Sequence, residues 1–174
     1  VYEKFKQKYP EPNSEGLLNT LDELKVLTTV YTKLLNPSKE TDPDVRLEIA
    51  YINRQEIAVA YPFLMKVYLD FSENILNKET FISVLTLVQS FTWRRLVAGL
   101  PTNALNKIFM TLYDRIDIEN YLISLEDALM QKTGGQRFPR NSEFLSLIKD
   151  KDIYNTKSRT RMYFFERVEN FNNK

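Results

Sequence analysis

The sequence predicts an all-α fold, an irregular bundle of about seven to nine helices, from three observations. Apolar residues recur at three- and four-residue spacing along the whole of the 174 residues. No stretch alternates apolar and polar residues long enough to make a strand. The breaks between periodic runs carry helix punctuation, at Pro10-Glu11-Pro12, Asn36-Pro37, Asp42-Pro43, Gly99 with Pro101, and Gly134-Gly135.

Taken in order, Tyr2, Phe5 and Tyr9 share one helical face over Val1–Tyr9, which the Pro10-Glu11-Pro12 break closes. Asn13 or Ser14 can cap a long helix whose stripe is Leu17, Leu18, Leu21, Leu24, Tyr31, Leu34 and Leu35, ending at Asn36-Pro37. Asp42-Pro43 is a start signal, because proline needs no amide partner in a first turn, and the helix it opens carries Val45, Ile49 and Ile52. Pro62 opens a segment with Phe63, Leu64, Val67, Tyr68 and Phe71. A helix from about Lys78 uses Phe81, Ile82, Leu85, Val88 and Trp93 until Gly99 and Pro101 stop it. Thr102 or Asn103 is the expected cap of the next, with Leu105, Ile108, Phe109 and Leu112. Residues 118–130 repeat the pattern with Ile118, Leu122, Leu125 and Leu129. After a loop over 133–141, Asn141 or Ser142 caps a short helix with Phe144, Leu145 and Ile148, and a last helix carries Met162, Phe165 and Val168.

Composition bounds the function. Forty-three per cent apolar residues, with eleven Phe and ten Tyr, argue for a packed core in one helical region, 1–174, divisible into subdomains 1–74 and 75–174. The chain has no cysteine and no histidine, which excludes Cys/His zinc sites, thiol nucleophiles, Ser-His-Asp triads and imidazole bases. No run of about 18 apolar residues exists to cross a bilayer. The opening Val1-Tyr2-Glu3-Lys4-Phe5-Lys6 lacks a signal-peptide core, so a cytoplasmic location without membrane contact is expected.

The net charge of +1 is unevenly spread. Residues 1–90 carry 10 Lys/Arg against 13 Asp/Glu, and residues 91–174 carry 14 against 10. The richest stretch holds Lys132, Arg137, Arg140, Lys149, Lys151, Lys157, Arg159 and Arg161, which is either a phosphate-facing surface or a solvated face with basic loops.

The most specific stretch runs from Phe91-Thr92-Trp93-Arg94-Arg95 through Gly99-Leu100-Pro101-Thr102-Asn103 to Asn106-Lys107-Ile108-Phe109. Neighbours on a helix differ by about 100°, so one of Arg94 and Arg95 can serve the helix end near Gly99 while its twin points elsewhere. The alternative is phosphate contact through a planar guanidinium fork. Trp93 fits a core position better than a base-stacking platform. Thr102, Asn103, Asn106 and Lys107 begin a helix after a tight turn, which suits either ordinary capping or an anion. No phosphate-loop spacing occurs, and the carboxylate pairs Asp22-Glu23, Glu126-Asp127 and Glu166 with Glu169 read as helical surface charge.

The stretch from Phe91 to Phe109, together with Arg137-Phe138-Pro139 followed by Glu143-Phe144 and the terminal Tyr163-Phe164-Phe165-Glu166-Arg167-Val168-Glu169-Asn170, resembles the helical middle region of GmrSD-type, modification-dependent restriction endonucleases. In that family a ParB-like nucleotide-hydrolysing domain precedes this region and an HNH nuclease domain follows it. Val97-Ala98-Gly99 departs from the Ile-Cys-Gly common there. The resemblance implies a fragment of a larger multidomain protein, with no catalytic residue, metal ligand or cofactor of its own. The parent would use a nucleoside triphosphate and a divalent metal. Its implied partners are the flanking domains and DNA, with Arg94, Arg95, Asn103, Asn106, Lys107, Arg137, Arg140, Arg159 and Arg161 as candidate DNA contacts. A protein-interaction module without nucleic-acid contact is the alternative.

Overall fold

Among the described residues, each sharp break in the sequence falls at a helix start or between two helices. The computed structural model describes Glu3, Gln7 and residues 14–171, and among the described residues there are eight α-helices and no strand. These are α1 (Ser14–Leu35), α2 (Pro43–Arg54), α3 (Tyr61–Ser72), α4 (Lys78–Val97), α5 (Asn103–Leu112), α6 (Tyr121–Met130), α7 (Asn141–Ile148) and α8 (Ser158–Phe171). Of the helix expected over Val1–Tyr9 only Glu3 and Gln7 are described, both helical, and its Pro10-Glu11-Pro12 stop and the Asn13 cap lie outside the described residues. No helix among the described residues is long and apolar enough to cross a membrane.

Local chemistry accounts for most boundaries. Asp42 accepts hydrogen bonds from the Asp44 and Val45 amides at 3.0 and 3.2 Å, with Pro43 in the first turn of α2. Asn77 does the same for α4 through the Thr80 amide at 2.8 Å. The end of α4 closes on Gly99 at φ +64°, where the Leu100 amide reaches back to the Arg95 carbonyl at 2.9 Å. Space around Gly99 is open, so the backbone conformation and not crowding requires glycine there.

Two expected caps differ. Thr102 has helical backbone angles and makes no side-chain cap bond, so α5 starts without one. At α7 the residue before the helix is Arg140, whose guanidinium has no acceptor to cap with, and the Asn141 Oδ1 accepts from Arg94 at 2.7 Å.

The centre of the bundle is α4. Its Phe81, Val84, Leu85, Val88 and Phe91 are completely buried, each such side chain contributing about 1.5–3 kcal/mol of burial. Phe81 stacks on Phe71 at 4.6 Å, and Phe91 meets Phe138 edge-on at 5.2 Å. The main core is continuous across residue 74, drawing on α1 through α6 and on Phe138. A smaller cluster of Tyr51, Trp93, Val97, Ile153 and Tyr163 seats α8, with Trp93 stacked on Phe164 at 5.5 Å.

Between α2 and α4 the contact is a polar seam. Gln55 donates to the Gln89 carbonyl at 3.1 Å and accepts from Thr92, while Gln89 donates to the Glu48 carboxylate at 2.8 Å. Arg167 from α8 completes it, 3.2 Å from Glu48. A second buried acid, Asp70, accepts from the Tyr113 and Tyr121 hydroxyls at 3.0 and 2.5 Å. Glu40, 4% exposed, takes Lys33 at 3.2 Å, the Asp42 amide at 3.0 Å and the Tyr68 hydroxyl.

Two helices bury faces other than those their periodicity suggested. In α1 most of the expected stripe is exposed, with Leu18 at 61% and Leu21 at 52%, and of its residues Leu34 is buried, joined by Val30, where the end of the helix meets α3. In α8, Met162, Phe165 and Val168 are exposed, while Tyr163, Phe164 and Arg167 pack inward. Both helices carry apolar residues on more than one face, so spacing alone cannot choose between them. Ile118 and Leu145 are likewise exposed at 63% and 59%.

Candidate functional site

The punctuation at Gly99-Leu100-Pro101 turns the chain from α4 into α5, and this corner forms one wall of a cleft of about 750 Å³. Residues 55–59 after α2 and residues 151–160, reaching into α8, form the rest. The cleft brings together three of the residues singled out from sequence, Arg95, Asn103 and Asn106, and adds Thr102, Lys151 and Lys157. Gln55, Thr92 and Thr160, all buried and polar, also line it.

Arg95 is the deepest of the cations at 2% exposed. Its Nη1 donates to the Arg137 carbonyl at 3.0 Å, and its Nη2 donates to the Pro101 and Gly135 carbonyls at 3.0 and 2.9 Å. Its Nε has no hydrogen-bond partner. Burial, and then the nearby Arg137 cation, push this guanidinium below its ordinary pKa. In this conformation the Nη donors of the fork are committed to carbonyls inside the fold.

Arg94 diverges from its twin, as neighbouring helix positions must. It reaches the Pro139 carbonyl at 3.2 Å and Asn141 at 2.7 Å, with its guanidinium over the Phe144 ring at 5.1 Å, and burial lowers its pKa. Arg137 pairs with Glu143 at 2.5 Å, and that hydrogen bond raises its pKa. Arg140 lies along Met130, 3.4 Å from its carbonyl, and Arg161 donates to the Tyr154 carbonyl.

The remaining candidates are open. Asn103, Asn106, Lys107 and Arg159 are exposed, and their side chains have no hydrogen-bond or ion-pair partner among the described residues. Arg159 acts on Glu56 through space, where the Lys157 hydrogen bond at 2.9 Å chiefly holds the carboxyl below its usual range. Lys151 is half-buried and also without such a partner.

Sequence reasoning placed Lys151 and Lys157 in a basic run but gave no reason to join them to α5. Polar Gln55, Gln89 and Thr92 on otherwise apolar helix faces were the readable signal of a buried seam, and it went unused. A second groove, of about 840 Å³, runs between α2 and α8, but its charged pair Glu48 and Arg167 is spent on itself. No family model, curated protein or solved structure matches this chain.

Proposed function

We propose that the chain is the non-catalytic helical connector of a DNA-targeting, modification-dependent restriction or anti-phage endonuclease, holding a nucleotide-hydrolysing domain and a nuclease domain in register and touching the DNA backbone with its exposed cations. One observation carries the reading. The three stretches that resemble the GmrSD middle region, far apart in sequence, close on one another as a single joint. Arg95 of the first donates to the Gly135 and Arg137 carbonyls, Arg94 reaches Asn141 and Phe144 of the second, and Trp93 stacks on Phe164 of the third. A connector has to transmit position, and buried multidentate contacts between its first and last parts make it stiff.

In this reading the pair at 94 and 95 serves the joint, and backbone contact falls to the cations left open, Lys151, Lys107 and Arg159. The parent's nucleoside triphosphate and divalent metal belong to the flanking domains.

Fluorescence anisotropy of a labelled duplex with unphosphorylated ends, plain and base-modified, tests it. Binding should weaken with salt at a slope of about −0.9 per phosphate contacted and should be lost in Arg159→Glu with Lys107→Glu, while Arg94→Ala alters stability more than affinity. The second reading, a protein-interaction module, rests on exposed Leu18, Leu21 and Leu24 of α1. It predicts no duplex binding at low salt.

A further inference from the structure

We infer that the cleft between the α4–α5 corner and residues 151–157 is a binding site for the terminal phosphate of a phosphomonoester. The inference stands on the cleft and does not depend on the connector reading.

The first argument is an imbalance of charge. Arg95 is 98% removed from solvent by its 2% exposure, yet all its acceptors are neutral carbonyls and no ion pair among the described residues includes it. Buried charges in proteins are ordinarily paired, and an uncompensated one is costly. Its Nε–H remains without an acceptor, and a second cation, Arg137, acts on it through space. The fold has built a cation here and supplied no anion.

The second argument is what shares the cleft with it. The first turn of α5 opens there without a side-chain cap, and its Asn103, Leu105 and Asn106 line the cleft at the positive end of a ten-residue helix. Asn103 and Asn106 stand beside them without partners. Lys151 adds a second unpaired cation. The one carboxylate in the lining, Glu56, is answered by Lys157 at 2.9 Å. The cleft thus keeps two positive charges and a set of unfilled donors.

The ligand class follows from charge and reach. A terminal phosphate carries roughly −1.5 to −2 at neutral pH and presents three acceptor oxygens on one side, which matches the Arg95 charge and its free Nε–H together with Lys151 and the uncapped start of α5. An internal phosphodiester has one charge and chain on both sides, so it meets the rim and not a cation recessed to 2% exposure. Inorganic phosphate, a mononucleotide and a 5′-phosphorylated strand end share this chemistry.

The test uses the whole chain and thermal unfolding in inorganic phosphate against chloride at matched ionic strength. Phosphate should raise Tm saturably, as a ligand of the native state does. Lys151→Glu and Asn106→Asp, both surface changes that leave the core intact, should each weaken the effect by about tenfold or more in apparent affinity, while Lys25→Glu on α1 should not. A 5′-phosphorylated oligonucleotide binding more tightly than its unphosphorylated twin identifies a strand end as the source. Equal binding of the two, with phosphate still effective, identifies the free anion or a mononucleotide. No phosphate-specific rise up to about 50 mM, or a rise unchanged in Lys151→Glu, overturns the site. Duplex binding lost or retained decides the connector reading separately.

Discussion

Arg95 and Gly135 are joined by a hydrogen bond of 2.9 Å from guanidinium Nη2 to carbonyl, across forty positions of sequence. It fastens the last turn of α4 to the loop that leads into α7, and two further bonds from the same fork hold Pro101 and Arg137. Lysine cannot reproduce this, because one ammonium on a flexible stem lacks the rigid two-nitrogen fork that reaches these three carbonyls. Arg95→Lys should lower stability by about 2 kcal/mol or more, and Arg95→Met by more, since it leaves buried carbonyls unpaired. Urea unfolding followed by circular dichroism measures both, and a change within about 0.5 kcal/mol would remove Arg95 from its structural role.

The Asp70 cluster predicts lability to base. Burial first, and then the hydrogen bond to Asp70, raise the hydroxyl pKa of Tyr113 to about 12 and that of Tyr121 further. The unfolded chain ionises near the ordinary value of 10, so the neutral hydroxyl favours the fold. The stability is complete below pH 10 and falls as pH rises toward 12. Tyr121→Phe should flatten that fall while lowering stability at pH 7, because Asp70 then loses a donor.

Glu40 predicts the opposite edge. Burial works against its ionisation, but the Tyr68, Asp42-amide and Lys33 hydrogen bonds outweigh it and leave the carboxyl below the usual 4.5. The contribution is present above that value and is lost as pH falls through the lower folded one. Unfolding curves at neutral and acid pH should therefore converge for Glu40→Gln and the parent chain only at the acid end.

Trp93, the single tryptophan, lies 5.5 Å from both Phe164 and Tyr163 and is 8% exposed. Its emission reports whether α8 is seated. Phe164→Ala should shift emission to the red and cost about 3 kcal/mol, with the main core retaining its helical signal.

The legible and illegible parts of this molecule differ in kind. Asp42-Pro43 and Gly99 act on backbone within a few residues of themselves, and the helix ends they imply are where the structure has them. The fully buried face of α4 was readable because its apolar positions outnumber the alternatives. The faces of α1 and α8 were not, since each offers two apolar stripes and only a partner element selects one. Arg94 and Arg95 were legible as a pair with divergent directions, but the carbonyls that receive Arg95 come from residues 135 and 137. Nothing local announces a contact at that separation, nor that Lys151 shares a cleft with Asn103.

The polar seam between α2 and α4 has a consequence for how the molecule can move. Gln55, Gln89, Thr92 and Glu48 are hydrogen-bonded at a single relative position of the two helices, with the Gln89 Oε1 left without a partner. A slip of one turn, about 5.4 Å, would strand buried amides opposite apolar side chains, a penalty that smooth hydrophobic surfaces do not impose. The seam is a key with one tooth. Helices meeting through it can be engaged or apart but cannot glide, so sliding α4 along α2 has to break these bonds first.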